Sequence, residues 1–168
     1  NGDDTDAPAL SGYVRVPERW ERYPDAGGTP YGYATFRLLV RLGEHNGELF
    51  GIRVTNIKNS HRLFVGGIEL GAGGSPGEND RQTTPINRPY SHYFADQDGF
   101  VEIVVQVANF RHYTGGITHS LLLGRQDQII GYQSFSTVRD MVVFAAFFPI
   151  GLYFLILYRM RKKEKAWL

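Results

Sequence analysis

Apolar and polar residues alternate along much of the first 125 positions, and a two-residue period predicts half-buried strands. Residues 101–107 follow it best: Val101, Ile103, Val105 and Val107 fall on one face and Glu102, Val104 and Gln106 on the other, as expected of a strand running through the middle of a sheet. Residues 33–42 put Ala34, Phe36, Leu38, Val40 and Leu42 on one face with Arg37 and Arg41 opposite, and Leu39 interrupts the polar side. Phe50, Ile52 and Val54 alternate with Gly51, Arg53 and Thr55. HRLFV and IEL flank Gly66-Gly67, and paired glycines supply the positive φ angles of a two-residue hairpin turn. Shorter strands are predicted at 10–16, ending at Pro17, and at 91–95 and 118–123. About eight short strands, most with one apolar face, predict an all-β antiparallel sandwich or barrel.

The period then disappears. MVVFAAFFPIGLYFLILY at 141–158 carries no charge and lies between Arg139-Asp140 and Arg159. As a helix it covers roughly 27 Å at 1.5 Å per residue, close to the ~30 Å of hydrocarbon in a bilayer. Pro149 and Gly151 are tolerated in membrane helices, and Tyr158 and Trp167 suit the headgroup level. A buried core helix competes with this reading, but one so uniformly apolar needs wrapping on all sides. The pattern divides the chain into a solvated lead-in at 1–9, a β domain at 10–125, a connector at 126–140, a transmembrane helix at 141–158 and a basic tail at 159–168.

Charge sharpens the division. RMRKKEKAWL carries Arg159, Arg161, Lys162, Lys163 and Lys165 against Glu164, so the formal +1 of the 168 residues splits into −3 for 1–140 and +4 for the tail. A basic cluster beside a span predicts a cytoplasmic C-terminus and an extracytoplasmic β domain. Nucleic acid is not an expected partner, because the rest of the chain is slightly acidic. Twenty Gly and eight Pro favour short strands and tight turns over a helical bundle, and the absence of Cys removes the disulfide-stapled scaffolds, which favours periplasm or a bacterial cell surface. The chain begins at Asn1 without Met or an apolar leader, as expected where a signal peptide has been removed or the sequence has been trimmed.

Chemistry of the catalytic kind is hard to assemble. GAGGSPGENDRQTTPINRP at 71–89 reads as the longest structureless loop, but no Gly-Lys-Ser/Thr follows its glycines and no helix opens after them, which argues against a phosphate cradle. Asp96 and Asp98 lack the further ligands and closing Glu of a calcium loop. The histidines at 45, 61, 92, 112 and 119 lack the helical i,i+4 spacing of a zinc pair, so no metal and no cofactor is expected. Glu18, Glu21 and Asp25 offer carboxylates, but spacing alone does not set two of them across a sugar bond. The expectation is a protein that is not an enzyme.

The succession VPERW, YGYATFRLLV, RLFVGGIEL, VEIVVQVANFRHYTGGITHSLLLG and a span ending YRMRKKEKAWL resembles the extracytoplasmic jelly-roll domain of the bacterial seven-transmembrane receptors with diverse intracellular signalling modules. The resemblance runs from about Val14 to the C-terminus. Val65-Gly66-Gly67 departs from the Val-Asn-Gly usual in that hairpin. It implies a galactose-binding-like jelly roll that senses carbohydrates or related small molecules outside the cell and signals across the membrane. Sandwich loops carry the sites, because inward side chains are already packed. Trp20, Asn109, Arg111 and His112, with Arg62 and Arg88 in addition, form the candidate ligand set: an aromatic face for stacking on a sugar ring and polar groups for its hydroxyls. Trp20 as a core anchor and Asn109 as a turn former are the plain alternatives. A membrane-anchored structural or protein-interaction sandwich, monomeric or homodimeric, and an accessory sugar-binding module of an anchored hydrolase are the competing functions.

Overall fold

The computed structural model describes residues 12–23, 27–43, 47–95 and 99–164. The lead-in at 1–9, the turn residues 44–46 and 96–98, and residues 165–168 of the basic tail lie outside them.

Among the described residues, eight strands form two antiparallel sheets. They are β1 (Gly32–Arg41), β2 (Leu49–Val54), β3 (Ser60–Val65), β4 (Ile68–Ser75), β5 (Thr84–Pro85), β6 (Tyr90–Ala95), β7 (Phe100–Asn109) and β8 (Leu122–Arg125). The larger sheet runs β1-β7-β3-β4-β5 and the smaller β6-β2-β8. The chain passes repeatedly from one sheet to the other, in the jelly-roll sandwich expected from the sequence.

The alternating stretches build the core. Val101, Ile103, Val105 and Val107 of β7, Leu63 and Val65 of β3, and Ile52 and Val54 of β2 are all buried in one cluster. Each such side chain contributes about 1.5 to 3 kcal/mol by leaving water. β7 lies between β1 and β3, with Val105 opposite Phe36 on one side and Leu63 on the other. Gly66 (φ 56°) and Gly67 (φ 80°) close the β3–β4 hairpin in the left-handed conformation that their sequence predicts.

Four expectations are corrected. The strand at 10–16 is absent among its described residues: 12–15 are irregular, Val16 begins a bend, and the Glu18 and Trp20 amides instead donate to Ile117 O (3.0 Å) and Gly115 O (3.2 Å). The returning strand begins at Leu122, not 118. Leu38, placed on the inward face, is 59% exposed, because β1 is an edge strand and only half-buries Ala34, Phe36 and Val40.

The fourth correction is the glycine-rich run, of which Gly71–Ser75 is not loop but the second half of β4. A Cβ on Gly71 would enter the ring of Tyr90, and one on Gly73 would enter the imidazole of His61. Those two rings stack at 5.8 Å against the strand, which needs glycine to leave them room. Gly74 (φ 89°) passes so close to the Thr84 carbonyl that no side chain fits there either.

The second compact unit is α1 (Gln126–Glu164), a helix of 39 residues with Pro149 inside it. Residues 126–140, expected as a connector, are its first turns. At 1.5 Å per residue it is roughly 58 Å long, about twice the ~30 Å hydrocarbon layer. It contains one candidate membrane span, with apolar side chains exposed throughout its second half.

Candidate functional site

The turn after β7 is organised by one side chain. Asn109 is buried, and its Nδ2 donates to Pro30 O (2.7 Å), His112 O (2.8 Å) and Thr114 O (3.2 Å). Its Oδ1 accepts from the amides of His112 (2.9 Å) and Arg111 (3.3 Å). An amide with two hydrogens shared among three carbonyls has no donor left for a ligand. The turn so folded presents Arg111 and His112 outward. The Thr114 amide donates to His112 Nδ1 (3.2 Å), and the imidazole stacks on Tyr113 with centroids 4.4 Å apart.

Arg111 Nε donates to Asp80 Oδ1 at 2.6 Å, and this hydrogen bond holds the Asp80 carboxyl below the usual carboxylate range and Arg111 above its own. Both are exposed, so the pair contributes little to stability. Its value is positional: it engages one of five guanidinium donors and steers the others.

Under this turn lies a pocket of about 140 Å³. Lys58, Asn59 and Ser60, from the β2–β3 connection and the start of β3, line it together with Thr83 before β5 and with Asn109, Arg111 and His112. Thr83 is fixed by its own loop, donating to Asn79 O (2.8 Å) and accepting from the Gly77 amide (3.2 Å). Asn59 Nδ2 donates to Gly116 O (3.1 Å), but Asn59 Oδ1 and Ser60 Oγ, in side chains that are 2% and 0% exposed, have no hydrogen-bond partner among the described residues. Buried polar atoms without partners are costly and uncommon; Arg53 Nε and Asn56 Oδ1 are two more, outside the pocket lining, while Asn59 Oδ1 and Ser60 Oγ belong to adjacent residues that line it. A larger hollow of about 250 Å³ shares Lys58 and is lined also by Glu18, Thr114, Thr118 and His119. Three of its polar side chains are already engaged: Glu18 by Arg22 and the Arg19 amide, Thr114 by His112, and Thr118 by His119. The smaller pocket is therefore the better site.

Of the residues expected from sequence, the pocket gathers Asn109, Arg111 and His112 and not the other three. Trp20 lies in the core cluster, its indole flush against Gly115, where a Cβ would strike the ring. Arg62 is exposed on β3 opposite Gln106 and Ala72, and Arg88 is exposed in the segment before β6; neither lines the pocket. Sequence reasoning passed over Lys58, Asn59, Ser60 and Thr83. The polar run KNS between two apolar strand patterns was the available signal for the first three.

Behind the pocket, buried His61 donates from Nδ1 to Asn59 O (3.1 Å) and accepts at Nε2 from the Tyr90 hydroxyl (2.9 Å). Burial pushes the imidazole below its ordinary pKa and the phenol above its own. The neutral ring thus fixes the backbone of Asn59, the residue whose side-chain oxygen is unpaired.

No protein-family model matches the chain, and no curated protein matches it. Solved structures similar to it include two crystal structures of GH2 beta-galacturonidase from Eisenbergiella tayi, one bound to galacturonate and one bound to glycerol, with TM-scores of 0.48 and 0.49 and 16% identity in both. Each match covers 69% of this chain and 21% of the other, so the chain spans about a fifth of those proteins' length. A likeness of this size identifies neither substrate nor activity.

Proposed function

We propose that the sandwich is the extracytoplasmic ligand-sensing domain of a membrane signalling receptor, that it takes a small carbohydrate or related polyol in the pocket under the 109–112 turn, and that α1 supplies a membrane span. The observation that carries the ligand reading is the pair of unpartnered buried oxygens, Asn59 Oδ1 and Ser60 Oγ, in two adjacent residues that line the pocket. A hydroxyl-bearing ligand supplies the donor that Asn59 lacks, and Ser60 can donate or accept. The reading needs no catalytic group. Among the described residues no cluster of His, Cys, Asp or Glu suits a metal ion. Orientation rests on the basic residues that follow the apolar stretch.

Two measurements test the reading. The whole chain in detergent, titrated with monosaccharides and polyols, is expected to gain thermal stability saturably, by about 2.7 kcal/mol when a ligand reaches a hundred times its Kd. No stabilisation by any of them removes the sensor reading. On intact cells, an impermeant thiol reagent is expected to label Thr5→Cys and to spare Lys165→Cys, and the reverse pattern overturns the orientation. A protein-interaction sandwich is the second reading, favoured by the edge strand β1, where Tyr33, Leu38 and Leu39 stand exposed. Concentration-dependent association without ligand would mark it.

A further inference from the structure

We infer that the ligand of this pocket is a small anion that also carries hydroxyl groups, a hydroxy acid or sugar acid, in preference to a neutral sugar. The inference rests on the reading of the pocket as a ligand site and adds its charge. Two cations, Lys58 and Arg111, line the pocket and no carboxylate does. Asp80 is bound to Arg111 without being part of the lining and leaves the other guanidinium donors for a ligand. Lys58 is half-buried and forms no ion pair among the described residues. A neutral ligand closing over that ammonium would strip its water and return no counter-charge, whereas a carboxylate returns a charge-assisted hydrogen bond.

The unpaired oxygens favour an anion that also carries hydroxyls over a simple one. Asn59 Nδ2 spends one of its two hydrogens on Gly116 O, and the unpaired Oδ1, which only accepts, repels a carboxylate oxygen. The group that meets it must donate, which calls for a hydroxyl on the same molecule as the acid. Ser60 Oγ, beside it, accepts a second hydroxyl or donates to one. The pocket volume of about 140 Å³ lies below the ~300 Å³ at the small end of common ligand sites, so one small molecule or one terminal unit fits and an internal stretch of a polymer does not.

The test uses the full chain in detergent and calorimetric titration with D-glucuronate, D-galacturonate and D-gluconate, with D-glucose and D-galactose as neutral counterparts, and with acetate and inorganic phosphate. At least one sugar acid is expected to bind tenfold or more tightly than its neutral counterpart, with affinity falling as salt rises. Lys58→Met should cost that acid tenfold or more and a neutral sugar much less, and Lys58→Arg should restore most of the acid's affinity. Ser60→Ala should weaken acid binding at an unchanged or raised melting temperature, since it removes an unpaired buried hydroxyl. Equal binding of acids and neutral sugars, indifferent to Lys58→Met, overturns the charge inference and leaves the pocket as a sugar site. Acetate or phosphate binding as tightly as the sugar acids overturns the hydroxyl half. Failure of every probe to bind overturns both this inference and the ligand-site reading beneath it.

Discussion

Replacing Asn109 with alanine removes a side chain that holds two carbonyls and two amides of the β7–β8 connection and the Pro30 carbonyl ahead of β1. The short contacts, to Pro30 O (2.7 Å), His112 O (2.8 Å) and the His112 amide (2.9 Å), dominate. At about 1 kcal/mol net for each, their loss costs about 3 kcal/mol, a large share of the 5 to 15 kcal/mol that stabilises a typical domain. The two longer contacts add little, because two amide hydrogens cannot serve three acceptors fully and water can reach part of the turn. For a domain of this size the loss corresponds to a fall in melting temperature of about 12 °C. Asn109→Asp is the informative companion: it keeps both accepted bonds but places an oxygen against three carbonyls, so it should be at least as unstable as the alanine variant. Near-ultraviolet circular dichroism of the full chain in detergent, through heat and urea, reads both. An alanine variant within about 4 °C of the parent, or an aspartate variant more stable than the alanine one, would show that the turn is held by something else.

Two further outcomes follow from the core. His61 is neutral when folded and its pKa lies below the ordinary value near 6.5, so the unfolded chain takes up the proton first; stability is complete above that value and falls as the pH drops from it toward the folded pKa. Urea midpoints at pH 7.5 and 5.5 should differ in the parent and converge in His61→Gln, and a parent profile equally steep in His61→Gln would assign the acid sensitivity to other groups. Ile103→Asp, at a position 6% exposed in the middle of β7, buries an unpaired carboxylate at a cost of several kcal/mol and should abolish cooperative melting of the sandwich, whereas a soluble, cooperatively melting variant would mean that the strand faces are misassigned.

The parts of the fold legible in the sequence are those where one residue type admits one conformation or one face. The valines of β7 and the Gly66-Gly67 turn are of that kind, because alternation and positive φ have few other uses. Alternation failed over 12–16, the described part of the expected strand, where Tyr13, Val14 and Val16 are exposed and the neighbouring Glu18 and Trp20 amides are taken by the 115–117 backbone. Glycine failed as a loop signal in β4, since a requirement for empty space and a requirement for flexibility look the same in one sequence. The candidate site was half legible. Arg111 and His112 stand out in a polar turn, but Trp20 and Asn109 have equal chemistry in a binding site or in a core, and only their contacts decide. Asn59 and Ser60 show in the sequence only as part of a polar run between two strands, because what distinguishes them is a missing partner.

The glycine face of β4 ties the choices at distant positions to one another. Gly71 and Gly73 are small because Tyr90 and His61 are large, so the four positions share a fixed volume that no single substitution can enlarge. A methyl group at 71 becomes tolerable only if the ring at 90 shrinks, and one at 73 only if the ring at 61 shrinks and the Ile86 carbonyl gives way as well. Second-site suppressors of a damaged β4 should therefore arise on β3 and β6 in matched sizes, and chains that keep this sandwich while losing the glycines should have lost the ring stack with them.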